Sequence, residues 1–152
     1  MPSDLQTRLL RVLSDGHFYR VGGHVPVKSH VRVIAATHQN LGMRVRQGRF
    51  REDVFDRLNG VRIQLPTLSE RREDIPVLAE HFIRQFCAGQ GIPPVVVPPE
   101  TMAYLMAYPW PGNVRQLRNA LEAGVVLGAE GVLAQEDLQL PLAGKGPDRS
   151  AT

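Results

Sequence analysis

Trp110-Pro111-Gly112-Asn113-Val114-Arg115-Gln116-Leu117-Arg118-Asn119 reads as a hard stop followed at once by a helix start. Pro109 and Pro111 end the preceding segment, since proline removes a backbone donor and clashes with the preceding turn. Asn113 is a residue type that caps a helix, and Val114, Leu117 and Leu121 then fall on one face. The helix so opened carries Arg115 in its first turn, beside backbone N–H groups that have no intrahelical partner. Cation and helix N-terminus repel, so position alone favours a solvated arginine there; the same place suits an arginine that meets phosphate.

Working outward from that corner, the chain upstream is helical. Glu100 to Ala107 predicts a helix that packs Met102, Leu105 and Met106. Gly91 to Pro99 is a proline-rich loop. Before it, Ile75, Leu78, Ala79, Phe82, Ile83 and Phe86 form a stripe of helical period from Asp74 onward, with Pro76 in the first turn and Gly91 after the end. A short helix is expected near Glu136 to Leu138.

The first part of the chain has a different texture. Ser3 and Gln6 fit a capping box for a helix with Leu5, Leu9, Val12 and Leu13 on one face, closed by Gly16. Phe18–Val21 and Val25–Lys28 are two short extended pieces around Gly22-Gly23. Val31 to Ala36 is a nearly continuous apolar run, the pattern of a strand covered on both faces. Asn40 caps a short helix that stops at Gly48, Arg51 to Leu58 is another helix, and Val61 to Leu65 alternates like a strand. These expectations make an α/β segment followed by a helical one, with a seam at Thr67 to Arg72.

The 152 residues carry a net charge of +3, 43% apolar and 22% charged residues, ordinary for one globular domain. That charge is too small to indicate nucleic acid by itself. The single cysteine, Cys87, excludes an internal disulfide and is expected to be buried and inert. No apolar run reaches membrane-spanning length, and a cytoplasmic protein is expected. His17, His24, His30 and His81 show no zinc-type spacing.

Several strings occur in one order: Asp4 to Leu13, Tyr19-Arg20-Val21-Gly22-Gly23, Val31 to His38, Phe50-Arg51-Glu52-Asp53, Arg57-Leu58-Asn59, Glu70 to Pro76, and Trp110 to Asn119. In that order and spacing the chain resembles the AAA+ domain of bacterial sigma-54-dependent activators, closest to the nitrogen-regulator branch. The resemblance implies that residues 1–66 are the C-terminal part of an α/β subdomain with an incomplete parallel sheet. Residues 67–142 would be a helical lid and residues 143–152 a disordered tail. It implies Arg51 and Arg57 as arginine fingers that reach a neighbour's ATP across a ring, a hexamer. Thr37 and His38 would be the first nucleotide sensor, Arg115 the second, and Ile75 a wall of the adenine pocket.

The family's phosphate loop, Gly-x-x-x-x-Gly-Lys-Ser/Thr, does not occur in the sequence, nor do its magnesium-holding acidic strand end, sigma-contact loop and helix-turn-helix. Met1-Pro2 matches a pair that the family places after the acidic strand, so a start at an internal methionine is expected. Asp56 and Gly60 depart from the family pattern. ATP, magnesium and the sigma-54 RNA polymerase holoenzyme are thus implied for an intact parent ATPase, while this chain alone is expected to be inactive and to bind no nucleotide tightly. Two other readings compete. One is a helix-turn-helix DNA-binding module with Val114 to Leu127 as its reading helix, which offers only Arg115 and Arg118 as basic groups. The other is a non-catalytic interaction subunit that inserts into rings.

Overall fold

The computed structural model describes residues 1–128 and 131–141; the expected tail, 143–152, lies outside the described residues. The chain forms two units, Met1–Gln64 and Leu65–Thr152.

The N-terminal unit opens with helix α1 (Ser3–Asp15), ended by Gly16 in the left-handed region at φ 68°. Strands β1 (His17–Tyr19) and β2 (Pro26–Lys28) pair antiparallel, with Phe18 opposite Val27. Helices α2 (Leu41–Arg46) and α3 (Glu52–Leu58) follow. Asn40 caps α2 as expected, accepting from the Met43 N–H at 3.1 Å. The expected capping box at Ser3 does not form: the residue before α1 is Pro2, and no side chain caps the helix. Gln6 is buried instead and bonds elsewhere.

The expected strands at Val31–Ala36 and Val61–Leu65 are not strands; the two-stranded β1–β2 pairing is the sheet among the described residues. A strand is defined by its ladder, and among the described residues neither segment has a ladder partner. Ile34 is 88% exposed and Val61 91%, so their apolar side chains lie open too.

The second unit is helical and carries the core. Helix α4 (Ile75–Gln90) has Pro76 in its first turn and ends at Gly91, φ 67°. It buries Ile75, Ala79, Ile83 and Cys87. Helix α5 (Pro99–Ala107) contributes Leu105, and helix α6 (Asn113–Leu127) contributes Leu117, Leu121 and Val125. Leu133 and Leu138 close the cluster from the segment after α6, where a short 3-10 turn spans Gln135–Leu138. The loop before α5 is pinned by a parallel bridge between Val96 and Val132. Thr101, buried in α5, donates to the Leu133 carbonyl at 2.9 Å.

Burial is therefore unequal. Among the described residues the N-terminal unit fully buries one apolar side chain, Val54, whereas the helical unit buries the whole hydrophobic cluster. Since apolar burial is the main term that opposes chain entropy, backbone amides of α4 and α6 should exchange with deuterium far more slowly than those of α1 and α3. Equal protection in both units would contradict this. Gly124 offers a sharper check. Glycine-to-alanine in a helix interior ordinarily stabilises by up to about 1 kcal/mol. A Cβ at Gly124 would lie 2.6 Å from Cδ1 of Leu133, a side chain with no exposure. The sign should reverse: Gly124→Ala should destabilise by about 1–2 kcal/mol, read from thermal unfolding.

Candidate functional site

Three arginines and one polar turn make up the candidate machinery, divided between the two units. Arg51 and Arg57 bracket α3 from its N-cap to its last turn. The Arg51 guanidinium grips Asp53 with two bonds, Nε to Oδ1 at 3.0 Å and Nη2 to Oδ2 at 2.8 Å. Its Nη1 donates to the Thr7 hydroxyl at 2.9 Å. Hydrogen bonding from Arg51 holds the Asp53 carboxyl below the usual carboxylate range, outweighing an opposing effect of desolvation. The pair's contribution is therefore present above the ordinary carboxylate value and is lost as pH falls through the lowered one. Helical spacing also permits an Asp53–Arg57 pair, but Asp53 is turned to Arg51, and no ion pair to Arg57 occurs among the described residues. Arg51, Glu52, Asp53 and Asp56 line an open hollow of about 470 Å³.

Thr37 and His38 are both exposed. They do not cap a strand, because Val31–Ala36 has none; Thr37 Oγ1 instead accepts the Gln39 N–H at 3.0 Å and closes a small turn. Ile75 is fully enclosed in the core of the helical unit, where its side chain packs and offers no open face to a ligand.

Arg115 stands exposed in the first turn of α6, and no acidic residue shares that turn. It lines an open hollow of about 770 Å³ with Gly112, Val114, Asn119, Leu138 and Leu140. The corner that sets its direction is built differently from the sequence expectation. Asn113 does not cap its own helix. It is the first helical residue, at φ 50°, and its Oδ1 accepts the Leu68 N–H at 3.0 Å. The cap position falls to Gly112, whose N–H donates to Gln116 Oε1 at 2.8 Å. A Cβ on Gly112 would come within 2.7 Å of the Gln116 Cβ, so a glycine is needed for that approach. Arg118 is tied to Glu122 at 2.8 Å, which leaves Arg115 as the outward cation of this face.

Sequence reasoning missed Arg72. Its Nη1 donates to the carbonyls of Met106 at 2.9 Å and Ala107 at 3.2 Å, satisfying the C-terminal end of α5. The seam thus holds α5 through Arg72 and α6 through Asn113. No local pattern announces a bond that spans more than thirty positions.

Family comparison gives this geometry its meaning. Residues 1–64 match the sigma-54 interaction domain, and residues 69–152 match the AAA+ ATPase lid domain. The chain belongs to the sigma-54 activator family of AAA+ proteins. Over 138 residues it is 56% identical to the DNA-binding transcriptional regulator NtrC of Escherichia coli K12, covering 91% of this chain and 29% of that protein. The NtrC of Azospirillum brasilense is 46% identical over 147 residues, 97% of this chain and 30% of the relative. The chain thus spans about three tenths of the length of the curated relatives it matches. Crystal structures of NtrX from Brucella abortus superpose with TM-scores of 0.86 and, for the ADP complex, 0.84, at 45% and 44% identity. They cover 93% and 97% of this chain and 33% and 36% of theirs. A further NtrX structure is a complex with ATP, at 45% identity and TM-score 0.86, covering 93% of this chain and 34% of that one. The fold is therefore the partial α/β core and helical lid of an AAA+ protein. Because α5 and α6 fall within the lid match, they are lid helices, and the helix-turn-helix reading is set aside.

The Asn113 bond is open to test. Asn113→Ala removes the acceptor for Leu68 and leaves in the left-handed region a residue that tolerates it less well than asparagine. It should cost about 2 kcal/mol in thermal unfolding, and Asn113→Gly, which relieves the backbone, should cost less. Wild-type stability in Asn113→Ala would show that the Leu68 bond holds nothing.

Proposed function

We propose that this chain forms the finger, sensor and lid portion of an ATP-driven ring that acts on the sigma-54 RNA polymerase holoenzyme during transcription activation in the cytoplasm. Residues 1–66 serve as the C-terminal part of the α/β subdomain and 67–142 as the lid. The observation that carries the reading is the placement of Arg51 and Arg57 at the two ends of α3, within the stretch matching the sigma-54 interaction domain, with exposed Arg115 on the first turn of a lid helix.

Each residue has a chemical task. In phosphoryl transfer charge spreads over the γ-phosphoryl oxygens, and a permanently charged planar guanidinium matches it. Arg51 and Arg57 supply that charge to a neighbouring subunit's nucleotide, which requires a homo-oligomeric ring, a hexamer by family likeness. Arg115 reads the same phosphate within its own subunit and reports to the lid. Thr37 and His38 form the first sensor when a neighbouring strand orders Val31–Ala36. Among the described residues no cluster of His, Cys, Asp or Glu could hold a metal, and the sequence has no phosphate loop. These residues do not fit magnesium and the phosphates on their own, so holding them falls to other parts of the longer protein.

A chimera tests the proposal. With this chain in place of the corresponding stretch of the Escherichia coli NtrC it resembles, the hybrid should hydrolyse ATP. Arg57→Ala should lower its kcat by about 10³-fold with nucleotide binding retained. Mixing the Arg57→Ala hybrid with one disabled in its phosphate loop should restore part of the activity, because the finger acts across the interface. Hydrolysis indifferent to both Arg51→Ala and Arg57→Ala would sink the reading.

A further inference from the structure

We propose that Gln6 and Thr7, adjacent on α1, are positioning residues for Arg51, with Gln6 fixing its backbone and Thr7 its guanidinium. The purpose rests on the finger role proposed above; the positioning itself stands on geometry.

Gln6 is 3% exposed, in a unit that otherwise buries little. Its carboxamide is fully employed. Oε1 accepts the Arg51 backbone N–H at 2.8 Å, while Nε2 donates to the carbonyls of Met1 at 2.9 Å and Arg49 at 3.4 Å. Accepting the Arg51 N–H while donating to the carbonyls of Met1 and Arg49 requires an amide. A carboxylate has no donor, and an apolar side chain leaves buried groups unpaired. The segment Arg49–Arg51 is thus sewn to α1 immediately before α3 begins.

Thr7 does the rest. Its hydroxyl donates to the Ser3 carbonyl at 3.2 Å and accepts from Arg51 Nη1 at 2.9 Å. Asp53 takes Nε and one Nη2 hydrogen. An arginine has five N–H donors, and three are committed here, one each on Nε, Nη1 and Nη2. The remaining pair, one on each terminal nitrogen, stays available to an incoming oxyanion. Held on two sides, Arg51 is pre-ordered rather than free to sample rotamers, which is what a group that must meet a phosphate from another subunit requires. Arg57 has no comparable anchor among the described residues.

The test is nuclear magnetic resonance on the isotope-labelled chain, comparing wild type with Thr7→Val, Thr7→Ser and Gln6→Leu. The Asp53 titration midpoint should sit below the ordinary carboxylate range in wild type and in Thr7→Ser. In Thr7→Val it should rise toward that range, because the loosened guanidinium grips the carboxylate less well. In Gln6→Leu the Arg51 amide should exchange about tenfold faster, the effect of losing one buried hydrogen bond. An Asp53 midpoint unmoved in Thr7→Val, or an Arg51 amide unmoved in folded Gln6→Leu, overturns the proposal. If Gln6→Leu unfolds the N-terminal unit, the valine–serine pair at position 7 decides. None of these readings uses nucleotide. Arg51 held as described but dispensable for hydrolysis in the chimera would end the finger role and leave the positioning intact; the converse would end only the positioning.

Discussion

The corner between α5 and α6 is turned by two residues in the left-handed region, and neither is glycine. Trp110 has φ 47° and Asn113 φ 50°, each a conformation costing roughly 1–2 kcal/mol for a residue with a Cβ. What holds them there is the rest of the helical unit. Trp110 is 1% exposed, its indole Nε1 donates to the Leu105 carbonyl at 2.6 Å, and its ring meets Tyr108 edge to face at 4.9 Å. Burying an indole with its N–H satisfied gives back more than the backbone strain takes. Asn113 is the easier case, because asparagine tolerates this region and its side chain gains Leu68. The corner therefore does two jobs at once. It stops α5 at Ala107, and it aims the first turn of α6, and with it Arg115, outward.

The N-terminal unit lives under the opposite constraint. Its apolar residues are written for a sheet, and among the described residues only β1 and β2 pair into one. With Val31, Ile34, Val61 and Ile63 all exposed, hydrophobic burial cannot hold the segment together. Polar bonds of long sequence separation take that part. The amide of Gln6 and the hydroxyl of Thr7 cross more than forty positions to reach Arg49 and Arg51. Such bonds are individually modest, about 1 kcal/mol net, but directional, so they fix geometry more than they add stability.

Those same two features explain what the sequence could and could not convey. Helix α4 was readable because its stripe, its early proline and its closing glycine all act within a few residues. The Asn40 cap, the β1–β2 turn and the AAA+ character carried by the ordered motifs were readable for the same reason. Val31–Ala36 misled because a strand pattern states a requirement for neighbours without supplying them. Gln6 misled because a glutamine three residues after a serine satisfies the capping-box pattern, while the competing partner, the Arg51 N–H, is forty-five positions away. Asn113 misled likewise, its acceptor being claimed by Leu68 at the same separation. Arg51 and Arg57 stand out in the sequence through motif position alone. Their difference in environment, one gripped by Asp53 and Thr7 and the other open, belongs to the folded chain alone.

Arg115 shows how an unfavourable placement can serve the proposed role. A cation in the first turn of a helix opposes the macrodipole by about 0.3–1 kcal/mol, and α6 has no acid in that turn to relieve it. Without an anion, the guanidinium and the free N–H groups of the turn repel; with one, both point at the same charge. The unliganded state is thereby raised and the liganded state lowered by the same groups. A ligand shifts a conformational equilibrium only by its differential affinity for the two states. A first-turn arginine enlarges that difference, and the rigid Trp110–Asn113 corner transmits it, because Arg115, Asn113 and the Leu68 bond share one backbone. On the proposed reading, phosphate arriving at Arg115 pulls directly on the seam that anchors α5 and α6.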